Sequence, residues 1–479
     1  MTATIASLSK NGHDVIPTIL KALESLKQEN SCFALSLPSA LCEADNIQTL
    51  KEANFCSAVA IGRVFPKHLK RFAPQFTRIG NVTSLLEGTL YCRSDTPSST
   101  VQIFLPNERA VENLLKESEG DFAVFSIEPG KILAARDPVG VEPLYYGEND
   151  ELLSLATNRR ALWKLGIQDS CSFPSGNLAI VRQKGFEFKP IKSLHYSKPK
   201  QITLDEAART LQELLEQSTR VRVRDVKELA VAFSGGLDSS VVAFLAKRCG
   251  VSVWLFHVSL CGQSETEDAK RAADELKLPL SVHLFESSDV EETVPKVIRL
   301  IEESDPVKAA IGTPFYWVAH KTAEAGLDVL LAGQGADELF GGYQRYINEY
   351  ISHGEAAVRK VMFNDVVRLP VSNLERDKKI CGFHGVDLRL PFASFGLAEF
   401  ALSLPVDLKI ERKENGLRKL VLRRLAQNLG LPEPIVNKSK KAMQYATGVN
   451  AVIGKIARRQ GLTVGEYIEK VFRKEKVDG

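Results

Sequence analysis

No stretch of about eighteen consecutive apolar residues occurs in the 479-residue chain, so no segment is built to cross a bilayer as a helix. The eight cysteines, Cys32, Cys42, Cys56, Cys92, Cys171, Cys249, Cys261 and Cys381, include no Cys-x-x-Cys pair. That removes zinc ribbons and thioredoxin-type redox pairs. The eight histidines contain no His-x-x-x-His pair, so no histidine-held metal is expected. A surplus of one charge is missing too: 62 Lys and Arg against 59 Asp and Glu leave +3, too little at this length for a nucleic-acid binder. There is no repeat period and no low-complexity tract. The start, MTATIASLSKNGHD, has neither the charged n-region nor the apolar h-region of a secretory signal. Cysteines such as Cys249 and Cys56, in or beside apolar runs, read as small hydrophobes, and a reduced, cytoplasmic compartment is expected.

What is present is an ordinary globular composition, 44% hydrophobic and 25% charged, in a chain long enough for roughly two to four domains. Residues 1–189 read as short strands with a few helices. Ala58 to Gly62 is one apolar run; Asp121 to Ile127 is another, returned through Glu128-Pro129-Gly130-Lys131 into Ile132 to Ala135 as a hairpin. Thr18 to Leu26 has helical spacing, with Pro17 suited to a helix start. Residues 190–206 are polar, mostly basic and carry two prolines, as a linker would. Beyond it, apolar strands at Leu229 to Phe233, Val251 to Val258 and Leu280 to Phe285 alternate with helical stretches at Ala207 to Val221, Ser239 to Lys247 and Glu267 to Leu276. Strands apolar on both faces that alternate with helices predict a parallel sheet covered on both sides, an α/β unit over residues 207–455 followed by a helical tail, 456–479.

The strongest chemical signal is Val231-Ala232-Phe233-Ser234-Gly235-Gly236-Leu237-Asp238-Ser239-Ser240, which follows a buried strand and opens a helix. Two glycines let the backbone turn tightly against a ligand. Free N–H groups and the helix dipole make an anion cradle, to which Ser234 and Ser239 add hydroxyls. Asp238 adds a carboxylate able to hold Mg²⁺ beside phosphate. An N-capping turn is the plainer alternative, but the whole string in strand–loop–helix context outweighs it. No Gly-Lys-Ser/Thr follows, so this is not a Walker A loop. A second glycine-rich turn after a buried strand, Gly333 to Tyr343, presents Asp337 and Glu338, and two carboxylates beside a triphosphate call for Mg²⁺.

The first string resembles the pyrophosphate loop of ATP-pyrophosphatases, which adenylate a substrate and release PPi. With Val329 to Tyr343, Gly385 to Phe392 and Lys438 to Gly448, the second half resembles the synthetase domain of asparagine synthetases over about residues 205–450. That resemblance implies a doubly wound parallel sheet of the PP-loop (adenine nucleotide alpha hydrolase-like) type, with ATP and Mg²⁺. By resemblance, Asp238 and Asp337 would ligate Mg²⁺ around the β- and γ-phosphates. Ser234, Gly235, Gly236 and Ser239 would hold the pyrophosphate, Val258 and Gly333 the adenine or ribose, and Phe233 completes the nucleotide-binding set. Lys441, with Lys440 close behind, would stabilise charge on the α-phosphate and the leaving PPi; Glu338 and Gln334 complete the candidate catalytic set. Glu302 and Asp305 also match family positions, but a paired-carboxylate helix end reads first as solvated. Most glutamine-dependent asparagine synthetases have Glu where this chain has Gln334, and there it is thought to steer or deprotonate ammonia. β-Lactam and carbapenam synthetases carry Tyr. An amide is no base at neutral pH, but it can hydrogen-bond substrate or ammonia.

The first half, through Gly120 to Phe125, Ala135 to Gly147 and Ser154 to Leu165, resembles the class II glutamine amidotransferase domain of the same synthetases. This implies an Ntn-hydrolase-like αββα sandwich, and α/β and α+β units in one chain. A working glutaminase of that class needs an N-terminal cysteine; here the second residue is Thr2. The family's Asn-Gly oxyanion loop reads Glu87-Gly88, and Arg63 matches the arginine that grips the glutamine carboxylate. Thr2, freed of Met1, would be a poorer nucleophile than a thiol. The unit is therefore expected to be a silent glutaminase, serving as scaffold or homodimer surface.

The resulting expectation is an ATP-dependent amide-forming ligase. It would adenylate a carboxylate, most simply the side chain of aspartate, and aminate it to asparagine with free ammonia or ammonia from a separate glutaminase. Activation for a different amide or lactam, and a non-catalytic ATP-binding homologue, stand as alternatives. No nucleic-acid or membrane partner is expected.

Overall fold

The computed structural model describes residues 2–67, 75–91, 103–438 and 447–478. The chain divides into two compact units, Met1–Ser193 with Lys476–Gly479, and Leu194–Glu475.

In the first unit, seven antiparallel strands in the order Cys171–Ser172, Tyr145–Glu148, Leu152–Ala156, Ala3–Ser9, Val59–Pro66, Ser31–Ser36, Leu41–Ala44 form one sheet. Six more, Gly185–Pro190, Asn177–Arg182, Lys131–Arg136, Gly120–Glu128, Val82–Leu90 and Thr77–Ile79, form the second. Strand residues alternate between faces. Ala6, Leu8, Ala34 and Ile61 of the first sheet share a core with Leu85, Ala123, Phe125 and Ala134 of the second. Ile5, Leu35, Ala60 and Val64 turn the other way, onto the helices Ile16–Leu26 and Arg159–Lys164. Helix Glu108–Glu117 covers Phe122, Val124 and Leu133 on the far side. The layers are therefore α, β, β, α. The hairpin expected around Pro129-Gly130 is present, with Glu128 paired to Lys131. The Arg136-Asp137-Pro138-Val139-Gly140 turn is structural. The fully buried Asp137 carboxylate accepts from the backbone N–H groups of Val139, Gly140, Val141 and Glu142, at 2.6–3.1 Å.

In the second unit, five parallel strands run Leu280–Phe285, Ser252–Leu260, Glu228–Ala232, Val329–Leu331, Asp387–Arg389. The chain starts at the central strand, moves to one edge, then returns to fill the other. This is double winding, and the order reverses between Glu228–Ala232 and Val329–Leu331. Loops leaving the carboxyl ends of two such strands diverge and open a crevice. Leu229, Val231, Leu255 and Leu331 are buried under the helices Leu204–Val223 and Leu237–Arg248, which contribute Leu211, Leu215, Val241 and Val242.

Three details differ from expectation. Helix Leu204–Val223 begins inside the stretch read as linker, because Thr203 caps Glu206 N–H while the Glu206 side chain returns to Thr203 N–H. The expected end at residue 455 falls within helix Val449–Arg459, and the last helix spans Val464–Asp478. Cys56 is exposed rather than packed.

Candidate active site

The crevice at the point of reversal is a cavity of about 290 Å³, formed wholly by the second unit. The loop after strand Glu228–Ala232 supplies Phe233, Ser234 and Gly236, and the helix it opens supplies Asp238 and Ser239. Ser234 Oγ accepts from Gly236 N–H at 3.2 Å and lies 3.2 Å from Ser239 Oγ, so the turn is tied across its own mouth. Gly235 has φ +64, and a Cβ there would lie 2.8 Å from Ala269 Cα, so only glycine fits. It shapes the turn but does not line the cavity.

The neighbouring loop, after Val329–Leu331, supplies Gly333, Gln334 and Asp337. A Cβ on Gly333 would stand 2.8 Å from Asp238 Cβ; its absence lets the two loops touch. Opposite them, Phe256, Val258, Pro314, Phe315 and Val318 make an apolar wall. The adjoining His257 is buried, which pushes its ring down toward the neutral form. Its Nδ1 lies 3.0 Å from the Phe233 carbonyl, so that nitrogen carries the proton, and Nε2 accepts from Thr266 at 3.3 Å. The ring fixes the strand end that carries Ser234.

Three cations line the cavity that sequence reasoning missed: Lys419, Arg423 and Lys438. Lys419 Nζ lies 2.7 and 2.6 Å from the two Asp238 oxygens and 2.6 Å from Asp337 Oδ1. Lys438 Nζ lies 3.3 Å from Asp268. Arg423 spends its guanidinium on the carbonyls of Arg418, Val436 and Lys438, bracing the wall. One weak signal for Lys419 exists: it directly precedes helix Leu420–Asn428, where the dipole disfavours a cation.

Gln334 donates through Nε2 to Asp377 Oδ2 at 2.6 Å. Burial pushes the Asp377 carboxyl up, while Arg376, bidentate at 2.7 and 3.0 Å, pulls it down. With one of its two N–H groups given to Asp377, Gln334 keeps a second N–H to donate and Oε1 to accept.

Glu338 needs correcting. It is buried outside the cavity, its Oε1 accepting from Tyr343 Oη at 2.6 Å and Asn373 Nδ2 at 2.8 Å. Burial and the adjacent Asp337 push its carboxyl up, toward the neutral form. Glu302 and Asp305 are structural: Glu302 is buried against Lys379 at 3.1 Å, and Asp305 caps the N–H groups of Val307 and Lys308. In the Gly385 to Phe392 string, Arg389 grips Asp225 and Asp387 away from the cavity. Lys440 and Lys441 lie outside the described residues.

A crevice holding a tight Ser-Gly-Gly turn, two convergent carboxylates and an apolar wall suits a nucleotide with its metal. Sequence comparison decides the family. The asparagine synthase model matches residues 210–357 and 347–478, more than half of the chain. The chain belongs to the asparagine synthase family. It is thus an enzyme of a family of ATP-dependent amide-forming ligases.

Within that family, a Methanocaldococcus jannaschii protein named putative asparagine synthetase 1, glutamine-hydrolyzing, is 32% identical over 417 residues, covering 76% of each chain. The glutamine-hydrolyzing asparagine synthetase of Asparagus officinalis is 27% identical over 358 residues, 68% of this chain but 57% of that protein. The first unit carries a match to the glutamine amidotransferase domain over residues 83–164. Among solved structures, a B. subtilis glutamine PRPP amidotransferase aligns at 16% identity and TM-score 0.31, over 58% of this chain and 65% of that one. Among the described residues no helix is long and apolar enough to cross a membrane.

In the first unit, Arg63 of strand Val59–Pro66 meets Glu87 of Val82–Leu90. Nε donates to Oε1 at 2.8 Å and Nη2 to Oε2 at 3.3 Å. Both side chains are buried, and Thr4 Oγ1 donates to the same carboxylate. Thr2 is half-buried, its carbonyl accepting from Asn158 at 3.3 Å. Arg63 thus has its anion from within the chain.

Proposed function

We propose that this asparagine synthase family member adenylates the side-chain carboxylate of aspartate with ATP, releases PPi and aminates the acyl group with free ammonia. The observation that carries the reading is the convergence of Asp238 and Asp337 at the strand reversal, beside the Ser234-Gly235-Gly236 turn. These two carboxylates fit Mg²⁺, a hard cation that takes one or two protein carboxylates together with substrate phosphates. When bound, Mg²⁺ would supply charge neutralisation along the polyphosphate.

The chain's own groups do the rest. The turn's N–H groups and the Ser234 and Ser239 hydroxyls receive the pyrophosphate end of the nucleotide, and the wall of Phe256, Val258 and Val318 takes the base. Lys419 and Lys438 offset charge that builds on the leaving PPi. Gln334, one amide N–H held by Asp377, offers its Oε1 to an incoming amine and orients it without removing a proton. Free ammonia is favoured as nitrogen source by the first unit: Thr2 replaces a thiol, and Glu87 already occupies Arg63.

The test is PPi and AMP release from Mg·ATP with aspartate, ammonium against glutamine, with asparagine detected by mass spectrometry. Asparagine from ammonium alone is the expected result. Asparagine from glutamine overturns the silent-glutaminase reading. ATP binding without turnover on aspartate overturns the substrate and favours the second reading, a different amide or lactam, whose warrant is Gln334 in place of the family's usual Glu.

A further inference from the structure

We propose that Lys419 is a resident cation that keeps a divalent metal off Asp238 and Asp337 until a polyphosphate is bound, so that metal enters only with its nucleotide. The proposal rests on the reading of those two aspartates as the metal site. Its basis is geometric. One ammonium engages both oxygens of Asp238 and one of Asp337, all at 2.6–2.7 Å. It thus stands between the two carboxylates that would hold the metal. The lysine side chain is 4% exposed and each aspartate 15%, so water screens the cluster weakly.

The placement is built into the backbone. Lys419 has φ +59, in the left-handed region that a residue with a side chain rarely adopts. A backbone outlier held by its surroundings points to a functional demand. Here the surroundings are specific: Leu420 N–H donates to the Lys409 carbonyl, Arg418 to the Gly342 carbonyl at 2.8 Å, and Arg423 to the Arg418 carbonyl at 2.7 Å. Gly342 completes the fit, since a Cβ there would lie 2.6 Å from Lys419 Cε and collide with Asp337. An alanine at that glycine would push the ammonium from its seat.

Charge decides the order of binding. With an ammonium on three of their oxygens, the two carboxylates offer only a weakened attraction to an ion as reluctant to dehydrate as Mg²⁺. Without that ammonium the pair would attract it more strongly. A polyphosphate brings several negative charges and gives the lysine, on its flexible four-carbon stem, another anion to meet. The carboxylates are then released to the metal.

The experiment is equilibrium dialysis of Mn²⁺ against the full-length protein, alone and with the non-hydrolysable α,β-methylene-ATP, for the wild type and Lys419→Met. The wild type is expected to retain Mn²⁺ only with the nucleotide analogue. Lys419→Met is expected to bind Mn²⁺ without it, at least about tenfold more tightly than the free wild type. Retention by the free wild type at the affinity of its nucleotide complex overturns the proposal and leaves the metal-site reading intact, and this arm needs no variant. A folded variant that gains no metal binding also overturns it. Wild type that retains no Mn²⁺ under either condition overturns the metal-site reading and this proposal with it.

Discussion

In the first unit Arg63 meets one buried carboxylate, Glu87; in the second Lys419 meets two, Asp238 and Asp337. The first contact balances and ties one sheet of the sandwich to the other. The second sets two carboxylates and an ammonium in the lining of a cavity, within reach of a ligand. Removing a carboxylate should therefore damage folding in one place and chemistry in the other. In the amidotransferase-like unit the ion pair joins two sheets, while in the second unit it lines a cavity.

The largest expected effect is on chemistry. Asp337→Asn should lower PPi release by about 100-fold or more, because it removes a carboxylate that would hold the metal beside the reacting phosphates. Its folding should change little, since Lys419 retains Asp238. Glu87→Gln should do the reverse: it strands a buried guanidinium and costs about 3 kcal/mol in urea unfolding, with ammonia-driven PPi release essentially kept. Arg63→Met with Glu87→Leu should recover most of that stability. Equal losses of activity from Asp337→Asn and Glu87→Gln would dissolve the contrast.

A third prediction concerns a balanced cluster inside the second unit. Burial pushes the Asp387 carboxyl up, but Lys378 at 3.0 Å and Arg389 at 2.7 Å more than answer it and hold it down at about 2. Its folded value lies below the unfolded one of about 4, so its stabilisation is full above about pH 4 and is lost as pH falls toward 2. Asp387→Asn should cost at most about 2 kcal/mol at pH 7, less for its part-exposed side chain, and nothing near pH 2. Unfolding curves for the two proteins at several pH values test this.

Smaller still is Glu338→Gln, expected to change kcat/KM for aspartate by less than about threefold, because the amide oxygen can still accept from Tyr343 and Asn373. A loss of a hundredfold would return Glu338 to the chemistry. Thr2→Cys should change nothing: with Arg63 paired to Glu87, no glutamate release from glutamine is expected. Measurable release would show that the missing thiol alone silences the unit.

The sheet and its loops were legible because their signals are local. Strand Leu280–Phe285 falls where its apolar run predicts, and Ser234 to Ser239 forms the turn its glycines require. Lys419 was not legible: it lies 181 residues from Asp238, and only the closed fold joins them. Glu87 and Arg63 likewise sit on different sheets. Glu338 was misread for a geometric reason. Asp337 and Glu338 are consecutive in helix Ala336–Phe340, where successive side chains diverge by about 100°, so one faces the cavity and the other the core.

The adjacency of Glu228–Ala232 and Val329–Leu331 has a further consequence. Hydrogen-bonded strands lie about 4.8 Å apart whatever their side chains. Asp238 and Asp337 each follow one of these strands within a few residues, so their separation is inherited from the pitch of the sheet. The backbone acts as a ruler for the pair. Substitutions in the apolar wall can retune what the cavity accepts, generation after generation, while the gauge between the two carboxylates stays fixed.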